Sequence, residues 1–185
     1  MNLLGLHIGR EYPHWRVKTT VRKYLGDINE CKSPEERLKW LEESIPYETL
    51  VKKGNLLLNE GMDEVLSLMT GYGTPTEYDN TNAEIGVGDS NTAAVRTQSD
   101  LQAGVNYDWQ GMEATFPTAP AENDGTNGRS VKFKSSWGSA DGNFAWEEWS
   151  VRNGATANKN LNRKVESLGT KSGGTWTLEV EISLS

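Results

Sequence analysis

The chain is poor in the residues on which most protein chemistry depends. It has one cysteine, Cys31, and two histidines, His7 and His14. A single cysteine forms no disulfide within its own chain, so no cross-link staples this fold, and Cys31 reads as a small apolar filler. Both histidines fall in one irregular stretch near the start, which leaves the remainder without the commonest general base and without a His-rich metal site. The scattered loop aspartates do not follow a calcium-loop spacing. No run of about 18 apolar residues occurs, so no membrane-spanning helix is expected. Met1–Leu6 is apolar but short, and Arg10 and Glu11 follow it, which is no signal-peptide pattern. The net charge of -7 argues against nucleic acid as the main partner. The expectation is a protein without enzyme activity, cofactor, metal or membrane partner.

What the chain does have is glycine and tryptophan. Nineteen glycines point to many turns, and so to a β-rich body with short connections. Seven tryptophans point to a core plugged by large rings, or to exposed rings used for contact. The clearest strand is Thr175–Leu184. Trp176, Leu178, Val180, Ile182 and Leu184 alternate there with Thr177, Glu179, Glu181 and Ser183, giving one apolar and one wet face. Glu179 and Glu181 share the wet face, where Lys164 or Arg163 is the expected cross-strand partner. Ser130–Trp137 alternates in the same way. In 144–151, Phe144 and Trp146 share one parity and Trp149 and Val151 the other. A bulge, or a strand buried on both faces, reconciles them. Leu161–Leu168 reads as a further strand, Glu84–Ser90 as a short strand and a turn, and Met112–Phe116 as a candidate strand. The glycines of Gly86-Val87-Gly88 are not followed by Gly-Lys-Ser/Thr, so they make no phosphate loop.

The first part of the chain reads differently. Trp15–Tyr24 is an amphipathic strand. Ser33-Pro34-Glu35-Glu36 starts a helix, with Ser33 as cap and Glu36 closing the box, that runs to about Ile45 before Pro46. A second helix is expected over Asn55–Thr70, capped by Asn55 and ended by Gly71, with Gly61 on its apolar face permitting close approach. The fold class is α+β, mainly β: an antiparallel β-sandwich or flattened barrel of five or six strands with two short N-terminal helices. The domain reading is an extended arm with one strand (1–30), a helical pair (31–71) and the β body (72–185).

Charge is unevenly spread. Residues 1–54 hold ten Lys/Arg against eight Asp/Glu, and residues 55–185 hold nine against eighteen. Up to Tyr24, Arg10, Arg16, Lys18, Arg22 and Lys23 face only Glu11, so the N-terminal segment is basic and the body acidic. An arm strand with one apolar face needs a sheet edge, and that edge could belong to another subunit. The candidate interface is therefore Trp15, Arg16, Val17, Lys18, Val21, Arg22, Lys23 and Tyr24. To these is added Trp109, in the loop-like stretch Asn106–Met112. Glu147 and Glu148 are adjacent on a strand, point apart and cannot share an acid–base site.

One resemblance is carried by particular residues. These are I-G-V-G-D-S at 85–90, T-Q-S-D-L-Q at 97–102, N-F-A-W-E-E-W at 143–149, N-G at 153–154, L-N-R-K-V at 161–165 and the closing strand. With N-L-L-L-N-x-G at 55–61 they resemble bacteriophage virion structural proteins: small capsid decoration (cement) proteins and β-sandwich proteins associated with tail fibres. The resemblance covers about 55–185, and its motifs are structural. It implies a capsid-exterior protein, assembled in the host cytoplasm, that clamps neighbouring copies of the major capsid protein, most simply as a homotrimer. The short chain and its arm favour decoration over a tail-associated or receptor-binding protein, whose partners would be tail proteins or a host receptor. A host-derived module binding sugar or protein is the third reading.

Overall fold

The computed structural model describes residues 15–122 and 129–184. Their elements run β1 (Trp15–Tyr24), α1 (Pro34–Glu43), β2 (Glu48–Lys53), β3 (Leu56–Leu57), α2 (Asn59–Thr70), β4 (Glu84–Gly88), β5 (Tyr107–Gly111) and β6 (Ala121–Glu122). They continue with β7 (Arg129–Trp137), β8 (Ala145–Arg152), β9 (Asn160–Thr170) and β10 (Thr175–Leu184). The strands form two antiparallel five-stranded sheets, β2-β1-β10-β7-β6 and β3-β9-β8-β4-β5. The mainly-β class and the two helices are as the sequence implied.

β10 lies at the centre of the first sheet. It pairs with β1 in unbroken register from Trp15↔Leu184 to Tyr24↔Thr175, and with β7 from Trp176↔Trp137 to Leu184↔Arg129. The alternating apolar residues of these strands share one core with the second sheet. Val17, Val21, Phe133, Leu178, Val180 and Ile182 meet Ile85, Val87, Trp149, Val151, Leu161 and Leu168 there. Along one side the sheets are tied by Lys52 to Glu166 at 3.1 Å and by Lys164 Nζ donating to the Lys53 carbonyl. Elsewhere Ser135 Oγ donates to the Gln110 carbonyl at 3.0 Å.

Three tryptophans fill one end of the core. The Trp146 ring meets Trp137 at 4.8 Å and Trp176 at 5.0 Å, both edge-on, and its Nε1 donates to the Gly142 carbonyl. Edge-on contact sets the positive rim of one ring against the negative face of the next. A register irregularity between Trp146 and Glu148 interrupts the β8–β9 ladder. It lets Trp146, Trp149 and Val151 all enter the core, while Glu148 and Ser150 turn to the opposite face and are buried there too. Both reconciliations offered for this strand therefore hold together.

The division into arm, helical pair and body does not hold. Trp15–Tyr24 is an interior strand of the first sheet, hydrogen-bonded to β10 on one side and β2 on the other. Its apolar face is needed to complete the core, and its polar face meets the acidic face of β10. Between the helices the chain makes β2, which joins the first sheet, and β3, which joins β9 of the second. Residues 31–71 thus belong to both sheets. Residues 1–14 lie outside the described residues.

The helices bear out most of their signals. Ser33 Oγ accepts from the Glu36 N–H, and Glu36 reaches back to the Lys32 N–H at 2.6 Å, one residue outside the expected box. Of Leu38, Leu41 and Ile45 only Leu41 is buried, and α1 stops at Glu43, leaving Ile45 90% exposed. α2 starts at Asn59 because Leu56–Leu57 is taken up by β9, and Asn55 accepts from Trp15 Nε1 instead of capping the helix. Gly71 ends α2 in the left-handed conformation (φ 66°). Gly61 is a contact glycine: a Cβ there would lie 2.5 Å from the Leu161 Cα, so any side chain would push α2 off β9. Met112–Phe116 forms no strand; the strand lies just before it, as β5.

Candidate functional site

The outer face of the first sheet is built by register. Residues paired across antiparallel strands share a face, so Lys53, Lys18, Glu181 and Lys132 form one row across β2, β1, β10 and β7. Two residues along, Arg16, Ser183, Ser130 and Ala121 form the next row. Together with Thr118 these residues line an open depression of about 540 Å³. Its wall is pinned to β7, because the Thr118 N–H donates to the Lys132 carbonyl and Thr118 Oγ1 accepts from the Lys132 N–H, at 2.9 and 3.1 Å.

Four cations and one carboxylate share this depression. Glu181 pairs with Lys18 at 3.8 Å, and the side chains are 15% and 53% exposed. An ion pair this long and wet is worth about 0–1 kcal/mol and leaves the Lys18 ammonium available. Among the described residues, no carboxylate lies within salt-bridge distance of Arg16, Lys53 or Lys132. The depression thus carries an excess of positive charge on a protein of net charge -7. It can hold an anionic group; nothing in it is arranged to transfer a proton or attack a carbonyl.

The opposite end of the same face is covered. Trp40 of α1 lies 5.1 Å from the Tyr24 ring, and Arg37 forks onto Glu113 at 2.5 Å. Beneath this cover, burial pushes the Lys134 amine below its ordinary value, against the opposing pull of Glu179. Burial likewise pushes the Tyr24 hydroxyl up.

The expected interface residues separate by face. Arg16 and Lys18 line the depression. Val17 and Val21 are core residues, with Val17 also reaching the depression's floor, and their apolar surface is spent on the second sheet. Lys23 is buried, pairs with Glu48 at 2.9 Å and lies over the Trp176 ring. Arg22 pairs with Glu179 at 3.6 Å, and Tyr24 is held by Trp40. β1 supplies the cations for both Glu179 and Glu181, so the expected partners Lys164 and Arg163 are replaced. Lys164 instead meets Glu166, and Arg163 is engaged elsewhere. The reason is that β10 lies beside β1, an adjacency that the sequence spacing does not show.

Trp15 borders a second, apolar opening of 250 Å³, with Val65, Phe133, Leu161, Ile182 and Leu184. Trp109 is not in a loop. It lies on β5, half-buried, with the Arg152 guanidinium 3.9 Å above its ring. Its ring packs flat on Gly86, where a Cβ would lie 2.5 Å from it. Lys53 and Lys132 were missed as site residues. The missing signal was available in part: β-branched Thr49 and Val51 flank Leu50 in a short run bounded by Pro46 and Gly54.

Among the described residues, the most buried charges lie on the outer face of the second sheet. Glu148 and Arg163 are both 0% exposed and pair at 2.6 Å. The segment 89–106 covers them: the N–H groups of Gln102 and Ala103 donate to Glu148, while Arg163 donates to Gln98 Oε1 and the Thr92 carbonyl. Ser150 Oγ donates to the Asn160 side chain, whose amide donates to the Ser99 carbonyl. With its oxygens so occupied and no path to solvent, Glu148 holds the covering segment down and is not placed to act on a substrate.

Comparison with protein-family models, with curated proteins and with solved structures gives no match.

Proposed function

We propose that this chain is a bacteriophage virion protein of the capsid-decoration kind, a β-sandwich that binds the outer capsid surface and clamps neighbouring subunits of the major capsid protein. The single observation that carries the reading is the basic depression formed by Arg16, Lys18, Lys53 and Lys132 on the outer face of the first sheet. Three of its four cations sit on β1 and β7, the strands flanking central β10, so the contact surface is presented by strands that are hydrogen-bonded on both sides. A cement protein needs that property, because load applied at its contacts must not deform it. Residues 1–14 join the body at Trp15, beside Arg16. In this reading residues 1–14 take part in the contact with a neighbouring subunit, or with a second copy in a homotrimer.

The test is cosedimentation with empty capsids of the encoding phage. The full chain should pellet with capsids and saturate. A variant lacking residues 2–14 should fold normally and bind more weakly. Removing 1–30 is not a usable control, since it takes away β1. Failure of the full chain to pellet with either unexpanded or expanded capsids overturns decoration. Equal binding by the shortened variant overturns the role of the arm.

A further inference from the structure

We infer that the depression is a recognition site for an acidic polypeptide segment, lying extended across the strands of the first sheet. The inference deepens the reading of this sheet face as a contact surface and rests on it.

The site has a definite pattern. Lys53 and Lys18 sit on neighbouring strands, and Lys132 sits two strands beyond Lys18, with Glu181 between them. Strands lie about 4.8 Å apart, so the row spans about 14 Å, the length of four or five extended residues. Side chains on one side of an extended peptide repeat every ~6.6 Å. Two or three carboxylates on such a segment can therefore meet the row of ammonium groups together. Arg16, one row away, offers a planar fork suited to a carboxylate. Ser130, Ser183 and Thr118 supply hydroxyls along the same floor.

Charge selects the class of ligand. Outside the depression the protein is more acidic than its net charge of -7 states. A long polyanion such as nucleic acid, which carries a charge every few ångströms, would extend over that acidic surface and be repelled. Screening acts over about 8–10 Å at ordinary salt, so a short acidic segment senses mainly the depression. Glu181 works against any anion, and with Lys18 it makes the site weak enough to select a ligand that engages Lys53, Arg16 and Lys132 at once.

The experiment uses the full chain and a fluorescently labelled peptide of alternating Glu and Gly, titrated by anisotropy. A thymidine oligonucleotide of equal charge is the second probe. Saturable peptide binding is expected, lost progressively with added salt and stronger than binding of the oligonucleotide. Lys18→Glu with Lys132→Glu should weaken it about tenfold or more, whereas Lys39→Glu on exposed α1 should leave it unchanged. Glu181→Gln should tighten it several-fold, a gain that a misfolded variant cannot produce. Absence of saturable binding, indifference to these substitutions, or preference for the oligonucleotide overturns the inference. Because no capsid is present, that failure leaves capsid binding standing. Peptide binding by a protein that never pellets with capsids fails the decoration reading alone.

Discussion

Replacing Arg163 with methionine is expected to lower stability by about 3–5 kcal/mol, because it leaves the Glu148 carboxylate charged and alone in a site with no solvent. Both side chains are 0% exposed, and the pair is closed over by the segment 89–106. The backbone N–H donors of Gln102 and Ala103 would remain, but they hold a fraction of the charge that the guanidinium balances. Arg163 also satisfies Gln98 and the Thr92 carbonyl, so its loss unpins the covering segment at two more points. In a domain of this size such a loss lowers the melting temperature by roughly 10 °C or more. The double variant Glu148→Leu/Arg163→Met should recover part of the loss, since no charge is left alone, but not all of it, because the Gln102 and Ala103 N–H groups and the Thr92 carbonyl lose their partners. Urea unfolding of the three proteins checks this. A single variant within about 0.5 kcal/mol of wild type would show that the pair is hydrated in solution.

Trp146→Ala should cost about 3–5 kcal/mol, the range for deleting a large aromatic ring from a packed core. The ring stands between Trp137 and Trp176 and is fully buried, so its removal leaves both neighbours without their edge-on contacts. It also leaves the Gly142 carbonyl without the Nε1 donor that holds the turn ahead of β8. Trp146→Phe should retain more than half of the stability, because most of the apolar surface remains and only the turn contact is lost. Near-ultraviolet circular dichroism reports the coupled rings directly: the alanine variant should lose most of that signal even where it still folds. A variant that keeps both the signal and the melting temperature would show that this end of the core is loosely packed.

The sequence disclosed the fold where a single element carries its own signal. Alternation marked β10, β7 and β1, the capping residues marked α1, and Gly71 marked the end of α2. Gly61 declared a close approach, which proved to be to Leu161 on β9. What stayed hidden depends on adjacency between distant segments. Nothing local says that Trp15–Tyr24 lies between β10 and β2, and this adjacency turns its apolar face from a candidate interface into core. The same adjacency gives Glu179 and Glu181 their partners on β1. β2 escaped notice because one edge strand with charges at Glu48, Lys52 and Lys53 carries a weak apolar pattern. That omission also concealed the depression, since Lys53 comes from β2 and only the sheet order sets it beside Lys18. Trp109 read as a loop residue because Asp108, Gln110 and Gly111 around it disfavour strands. Pairing with β4 overrides that preference.

Zero-length carbodiimide crosslinking of the protein–capsid complex, read by mass spectrometry, tests the central claim most directly, because it joins only amines and carboxylates already in contact. The account predicts that Lys18, Lys53 and Lys132 are joined to aspartates or glutamates of one stretch of the major capsid protein. Links confined to lysines away from the depression, such as Lys39 on α1, would contradict it.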